Sequence, residues 1–382
     1  MSRKRVVIAG LGDVGLLTAI RLSRHVDVVG ISVKPALVSG QELGVRLSRP
    51  SDWVRDYWIP FDRFRRLDGV RTVQAELTGV DLATRKVLAR GPDGAPVVER
   101  YDALVIATGV SSGFWRRPTL QSAAEISAEL YAAHDRLAAA KSVIVIGGGA
   151  AAVSSAVNLA TIWPDKRIDL YFPGQRPLLD YHSRTWNRIE QRLNKLGVRI
   201  HPGHRAVIPT GFTGEEITSA PVDWSTGQPP ASAEAVLWAI GRVRPNTGWL
   251  PQEILDDDGF VRVKPDLRVP GHHGVFAVGD VAATDPLRSS ARNRGDALVA
   301  HNIRAQFAGR KLRSFSPPSR RWGSVLGSQP DGMEVFFPTG HAFRFPAWAV
   351  EHLVMPWIVR WGMYRGVRPN YPVKQLADND VG

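Results

Sequence analysis

Apolar residues in this chain fall into short runs closed by glycine or charge, and between the runs they recur at helical spacing. Val6-Val7-Ile8-Ala9 is the first run. A glycine-rich turn follows, then a helical pattern over 16–24 and a second strand over 26–31. Residues 70–77 read as a strand. Residues 80–99 read as a hairpin turning at Pro92-Asp93-Gly94, which predicts an antiparallel insertion. Tyr101-Asp102-Ala103-Leu104-Val105-Ile106-Ala107-Thr108-Gly109 is a buried strand ending on glycine, and 123–140 is an Ala-rich amphipathic helix. The theme then repeats: a strand at Val143-Ile144-Val145-Ile146, a second glycine turn, and a helix over 152–162. A strand over 168–172, a helix over 183–196 and a strand closing near 235–241 complete the second unit. Val275-Phe276-Ala277-Val278-Gly279-Asp280 is a last buried strand ending in Gly-Asp. Buried strands alternating with helices predict an α/β fold built on parallel sheets.

Both glycine turns stand between a strand and a helix. The first is Gly10-Leu11-Gly12-Asp13-Val14-Gly15 and the second is Gly147-Gly148-Gly149-Ala150-Ala151-Ala152. In such a turn the first Gly permits the bend and the second lets the backbone approach a pyrophosphate. The third small residue, Gly15 or Ala152, lets helix and sheet pack closely. Free N–H groups and the dipole at the helix start hold the negative charge. Two such turns imply two Rossmann-like domains and two dinucleotides.

With 44% hydrophobic and 22% charged residues the chain is an ordinary globular protein. It contains no Cys, which excludes disulfides, iron–sulfur clusters, thiolate zinc and electron storage in a Cys pair. A net charge of +13 suits phosphate-rich ligands or an anionic membrane, or reflects an Arg-rich solvated surface. No nucleic-acid-binding module is present, so nucleic acid is not an expected partner. Ser2-Arg3-Lys4-Arg5 and the apolar run after it imitate a signal peptide, but Asp13 and the glycine rhythm mark a mature N-terminal strand. No run reaches membrane-spanning length. His201-Pro202-Gly203-His204 and His272-His273 lack carboxylate or thiol partners in sequence, so no metal is expected.

Four markers occur in a defined order: Gly10-x-Gly12-x-x-Gly15, Ala107-Thr108-Gly109, Gly147-x-Gly149-x-x-Ala152 and Gly279-Asp280. A fifth, Gly241-Arg242-Val243-Arg244-Pro245-Asn246, follows the second unit. With these the chain resembles the flavoproteins that carry two dinucleotide-binding domains, nearest to type II NADH:quinone oxidoreductases and apoptosis-inducing-factor-like oxidoreductases. The resemblance implies FAD on a discontinuous first domain, 1–112 with 242–310, and NAD(P)H on a domain inserted at 113–241. A C-terminal α+β region, 311–382, follows. Asp280 would bond the ribityl hydroxyls of FAD, and Gly279 would let the flavin chain pass.

Several positions depart from that pattern. The second strand of the first domain ends at Ser32, followed by Val33 and Lys34, where an acid normally binds ribose; Glu42 is the nearby substitute. In the second domain the equivalent end is Phe172-Pro173-Gly174-Gln175-Arg176. With no acid to repel a 2′-phosphate and Arg176 to meet one, NADPH is favoured over NADH, while a solvated Arg176 would leave NADH in place. Ser154 and Ser155 stand where relatives carry a Glu near the nicotinamide. A helix read from Ser289 to Asn302 replaces the relatives' Gln positions with polar residues, and its Arg292 and Arg294 would meet an anionic acceptor or the flavin pyrophosphate, or cap a solvated face.

The segment 345–361 is Trp-rich and helix-compatible with a break at Pro356, and Arg360, Arg365, Arg368 and Lys374 follow. It suits a helix at a membrane headgroup layer; packing on the flavin domain or across a homodimer interface are the competing readings. The expected function is an FAD-dependent NAD(P)H oxidoreductase that passes electrons to a quinone or similar small acceptor. Its expected place is the cytoplasm, or peripherally the cytoplasmic face of the membrane. The alternative is a nucleotide-binding redox sensor or scaffold with weak or lost turnover.

Overall fold

The structure is a computed structural model describing residues 3–369, apart from 41, 112, 114–116, 213, 215, 242, 285 and 286. Two parallel sheets organise it. The first runs in the order Val275–Ala277, Ala103–Ile106, Arg5–Ala9, Asp27–Ser32, Val70–Gln74, with Val7 level with Val29 and Leu104. Arg5–Ala9 is central, and alternation sends its side chains to two cores. Val6 and Ile8 pack with Leu16, Leu17, Val299 and Ile303 of the helices Asp13–Leu22 and Gly295–Phe307. Val7 and Ala9 pack on the other face with Val87, Ala89 and Trp249.

The second sheet repeats the plan in the order Arg199–His201, Arg167–Tyr171, Ser142–Ile146, Ala235–Trp238, all parallel. Val143 and Val145 meet the helices Ala150–Ile162 and Ser183–Lys195 through Val153, Val157 and Ile189. Ile144 and Ile146 face Tyr171, Trp224 and Trp238. The two chain crossings between the units, Val110–Ser111 and Arg244–Pro245, pair antiparallel. Asn246 secures them: its amide N–H₂ donates to the Thr108 carbonyl at 2.9 Å, and its side-chain oxygen accepts from the Ser111 hydroxyl at 2.7 Å.

A buried polar knot ties three segments together at Asn158. Its side-chain N–H₂ donates to the carbonyls of Ser154 and Leu326, both at 2.9 Å, and its oxygen accepts from Gln329 at 3.0 Å and Arg49 at 3.3 Å. Arg49 ends the helix Leu43–Ser48 of the first unit, Asn158 lies on the helix of the second, and Leu326 and Gln329 belong to the C-terminal region. Buried amides are costly unless every lone pair and proton is satisfied, so the knot fixes how these segments meet.

Three local expectations are corrected. The run 70–77 is two strands, Val70–Gln74 in the parallel sheet and Glu76–Asp81 in a separate three-stranded meander with Lys86–Arg90 and Pro96–Arg100. They part at buried Ala75, whose N–H donates back to the Ser32 carbonyl. The helix after Gly-Asp begins at Gly295, not Ser289. Ser289 is instead held by Gly279, whose N–H donates to the Ser289 hydroxyl at 3.0 Å and its carbonyl at 3.1 Å. The C-terminal helix does not break at Pro356. Val350–Met363 is a wide π-helix closed by the Tyr364 N–H on the Val359 carbonyl, a geometry that takes the i−4 carbonyl out of register with the proline ring.

Candidate active cleft

The two glycine turns adopt one geometry twice. Gly10 and Gly147 have φ of +100° and +144°, and their N–H groups donate to Ile31 at 2.9 Å and Tyr171 at 2.8 Å on the neighbouring strands. A Cβ on Gly10 would stand 2.5 Å from the Ala107 carbonyl oxygen, and one on Gly147 would overlap that of Ala239. Ala239-Ile240-Gly241 is thus the second unit's counterpart of Ala107-Thr108-Gly109, with Gly241 at φ +68° and Gly109 at +67°.

The middle glycines differ in kind. Gly12 (φ −71°) and Gly149 (φ −92°) are extended N-caps of their helices, a conformation open to any residue. A Cβ on either meets nothing within 4 Å. Among the described residues, no protein contact therefore demands glycine at these two positions. A group approaching the helix N–H donors from the cleft would, and a dinucleotide pyrophosphate is such a group. The residues present fit FAD and NAD(P)H on this ground.

Both turns open onto a single cleft of about 1540 Å³, more than one ordinary ligand occupies. Gly10, Gly12, Asp13, Val14, Ser32, Lys34, Ala107, Thr108, Gly109, Gly279 and Asp280 line one side. Gly147, Gly149, Ala150, Ala151, Arg176 and Gly241 line the other. Gly15 and Ala152 do not line the cleft. Gly15 lies against the Gly10 carbonyl and Ala152 is fully buried, so both serve helix–sheet packing. Arg242 and Lys374 lie outside the described residues. Gly279 (φ +86°) has a protein reason of its own: a Cβ there would stand 2.7 Å from Val14 Cγ1.

At the ribose end of the first turn, the Ser32 hydroxyl oxygen accepts the Lys34 backbone N–H at 3.1 Å. The Lys34 ammonium donates to the Thr119 carbonyl at 3.0 Å and to the Gln121 side chain. Burial pushes its pKa down to about 8. Asp13 accepts the Ser39 hydroxyl at 2.9 Å. Glu42 is not paired with Ser32: it borders Gly327, Arg292 and Arg49 instead. At the second ribose end, Phe172, Pro173, Gly174 and Arg176 are joined by His204 and Arg205, whose loop bonds to Gly174 and Phe172 through the N–H groups of Gly203 and His204. Arg205 was invisible in the sequence pattern because it arrives from the loop after the next strand, Arg199–His201.

The two serines of the second helix separate. Ser154 lines the cleft, packed so tightly on Gly44 that a Cβ there would stand 2.6 Å from its Oγ. Ser155 turns its hydroxyl onto the Ala151 carbonyl at 2.7 Å. Arg292 lines the cleft and donates to the Trp322 carbonyl at 3.0 Å, whereas Arg294 is exposed at the helix N-cap with φ +60°.

The pyridine nucleotide-disulphide oxidoreductase family model matches residues 4–303. The chain belongs to this family. Its relatives include Ferroptosis suppressor protein 1 of Xenopus tropicalis, 25% identical, with 82% of this chain and 83% of the relative covered. The Type II NADH:quinone oxidoreductase Ndh of Mycobacterium tuberculosis is 26% identical, with 80% and 73% covered. Among solved structures, NDH2 from Plasmodium falciparum in complex with NADH matches with a TM-score of 0.69 at 13% identity, covering 95% and 96%. The family member described here is an oxidoreductase of the two-dinucleotide fold that uses a pyridine nucleotide. It lacks the cysteines that give the family its disulphide chemistry.

Proposed function

We propose that the chain transfers a hydride from NAD(P)H to FAD and passes the electrons to a quinone, working at a membrane surface. The observation that carries this reading is the shared cleft: a nucleotide sensor has no need for both turns to face one cavity, whereas electron transfer between two cofactors does. FAD, when bound, takes up the hydride and releases its electrons singly or in pairs to the acceptor.

The chain's part is to bind and orient. The helix starts at Gly12-Asp13-Val14 and Gly149-Ala150-Ala151 hold the two pyrophosphates, and Asp280 orients the ribityl chain beside Gly279. Arg176 and Arg205, with no acid at Phe172, select NADPH over NADH. The name of one relative, a type II NADH:quinone oxidoreductase, supports a quinone acceptor. The test is anaerobic: flavin bleached by NADPH regains its colour within seconds of adding a soluble benzoquinone. Colour that returns only with oxygen contradicts a quinone acceptor.

The C-terminal helix supplies the membrane contact. Its inner side buries Val350, Val354 and Met355, and Arg360 pairs with Asp56 at 3.3 Å. Its outer side exposes Leu353, Trp357, Ile358 and Trp361, with Trp348 just before it. No helix among the described residues is long and apolar enough to cross a membrane. A contiguous exposed apolar face with Trp suits the headgroup layer. Burying a large side chain is worth about 1.5 kcal/mol or more. Replacing Trp348, Trp357 and Trp361 together by Ser is therefore expected to lower co-sedimentation with anionic vesicles at least tenfold. Undiminished binding contradicts the membrane contact, and a dimer converted to monomer assigns the face to a partner subunit.

A further inference from the structure

Glu42 draws attention through its backbone. It is a non-glycine residue at φ +59°, ψ +45°, placed at the N-cap of the helix Leu43–Ser48. Such strain persists where the surroundings impose it, often at functional sites. The conformation turns Glu42 into the cleft, where it lies with Asp13, Ser154 and Arg292 on the wall.

The C-terminal segment makes room for two charged side chains there. A Cβ on Gly327 (φ +71°) would overlap the Glu42 carboxylate, and a Cβ on Gly323 (φ +105°) would stand 2.9 Å from the Arg292 guanidinium carbon. Two glycines of one loop thus cradle an acid and a base brought from two other segments. This wall also carries Asp13 of the first turn and Ser154 of the second unit's helix, so it lies where the two units face each other, and Glu42 and Arg292, which belong to neither turn, are the charges there left for the acceptor.

The reaction proposed above consumes one proton: NAD(P)H + H⁺ + quinone → NAD(P)⁺ + quinol. The hydride brings both electrons and one hydrogen, and the second hydrogen of the quinol must come from an acid. We propose that Glu42 is that acid, a reading that rests on the quinone-reductase function. Its O–H bond breaks, the proton goes to the quinone oxygen, and the carboxylate is reprotonated from water.

The groups facing Glu42 are Arg292 from the segment before Gly295–Phe307, Arg49 at the end of its own helix, Tyr57 from Pro50–Tyr57, and Tyr181 from the loop before Ser183–Lys195. Burial, the larger effect, raises the carboxyl, Arg292 and Arg49 oppose it, and the result is a pKa pushed up to about 7. The acid form therefore prevails below pH 7 and is lost above it, so proton delivery slows as pH rises. General acids poised near the working pH contribute roughly 10²-fold or more.

The test uses the flavin-loaded protein and its Glu42→Gln and Glu42→Asp variants. In wild type, infrared difference spectra should show a protonated-carboxyl band disappearing with a midpoint near pH 7, absent in Glu42→Gln. In stopped-flow, NADPH should reduce the flavin of Glu42→Gln within about threefold of wild type. Its reoxidation by a soluble benzoquinone should fall roughly 10²-fold and lose its decline above pH 7, with Glu42→Asp recovering part of the rate. Retained flavin absorbance shows that each variant is folded. Wild-type reoxidation in Glu42→Gln, with the pH profile unchanged, overturns the proposal. If wild type itself is not reoxidised by quinone, the functional reading fails and the role of Glu42 in quinone reduction falls with it, whatever the infrared band shows.

Discussion

Replacing Gly12 by valine is expected to yield a folded protein without its yellow colour. The position is extended, at φ −71° and ψ −170°, and a Cβ meets no protein atom within 4 Å. Valine thus costs the fold little, and the three new carbons fill the space a pyrophosphate needs. Flavin binding should weaken by at least about 10²-fold, since donors at the helix start lose charge-assisted bonds worth about 1.5–3 kcal/mol each. Equilibrium dialysis with FAD and the thermal unfolding of the apoprotein read the two effects separately. Gly149→Val should do the same for the second cofactor, leaving a yellow protein that NADPH no longer bleaches. Gly15→Val is the contrasting case. Its Cβ overlaps the Gly10 carbonyl, so it should unfold the first unit. A Gly12→Val protein that retains FAD at wild-type affinity would remove the first turn from the flavin site.

The second large effect concerns the choice of nicotinamide. Arg176 is half-buried beside Phe172, with one N–H on the Leu178 carbonyl at 3.4 Å, and Arg205 is exposed across the same corner of the cleft. Each would supply a charge-assisted bond to a 2′-phosphate, and exposure holds each to about 1.5 kcal/mol. Arg176→Ala with Arg205→Ala should therefore lower kcat/KM for NADPH roughly 10²-fold and that for NADH by less than about threefold. Parallel losses for both nucleotides would mean that the two arginines support the loop rather than read the phosphate.

The paired α/β fold was legible because its determinants are local. A glycine that must bend, a run of Val and Ile buried on both faces and a helix opening after the turn all lie within about a dozen residues. The packing role of Gly15 was legible from its place in the fingerprint, and the Gly10 carbonyl against it is the physical reason. Arg205 and the Glu42–Arg292–Gly327 cluster escaped detection, since each joins segments far apart in the chain. Ser289 was read as helix because its neighbours favour one. The Gly279 N–H, ten residues earlier, holds it in a turn. At Pro356 a sound rule met an exception, the wider helix that spares the proline its clash.

The central claim is that two nucleotides meet in one cleft and exchange a hydride. Its most direct test is anaerobic stopped-flow of the purified, FAD-loaded protein against NADPH and NADH, followed at the flavin absorbance. Bleaching within seconds, faster at equal concentration with NADPH, is the predicted result. A flavin that stays oxidised with both nucleotides, or a protein that cannot take up FAD at all, would contradict it.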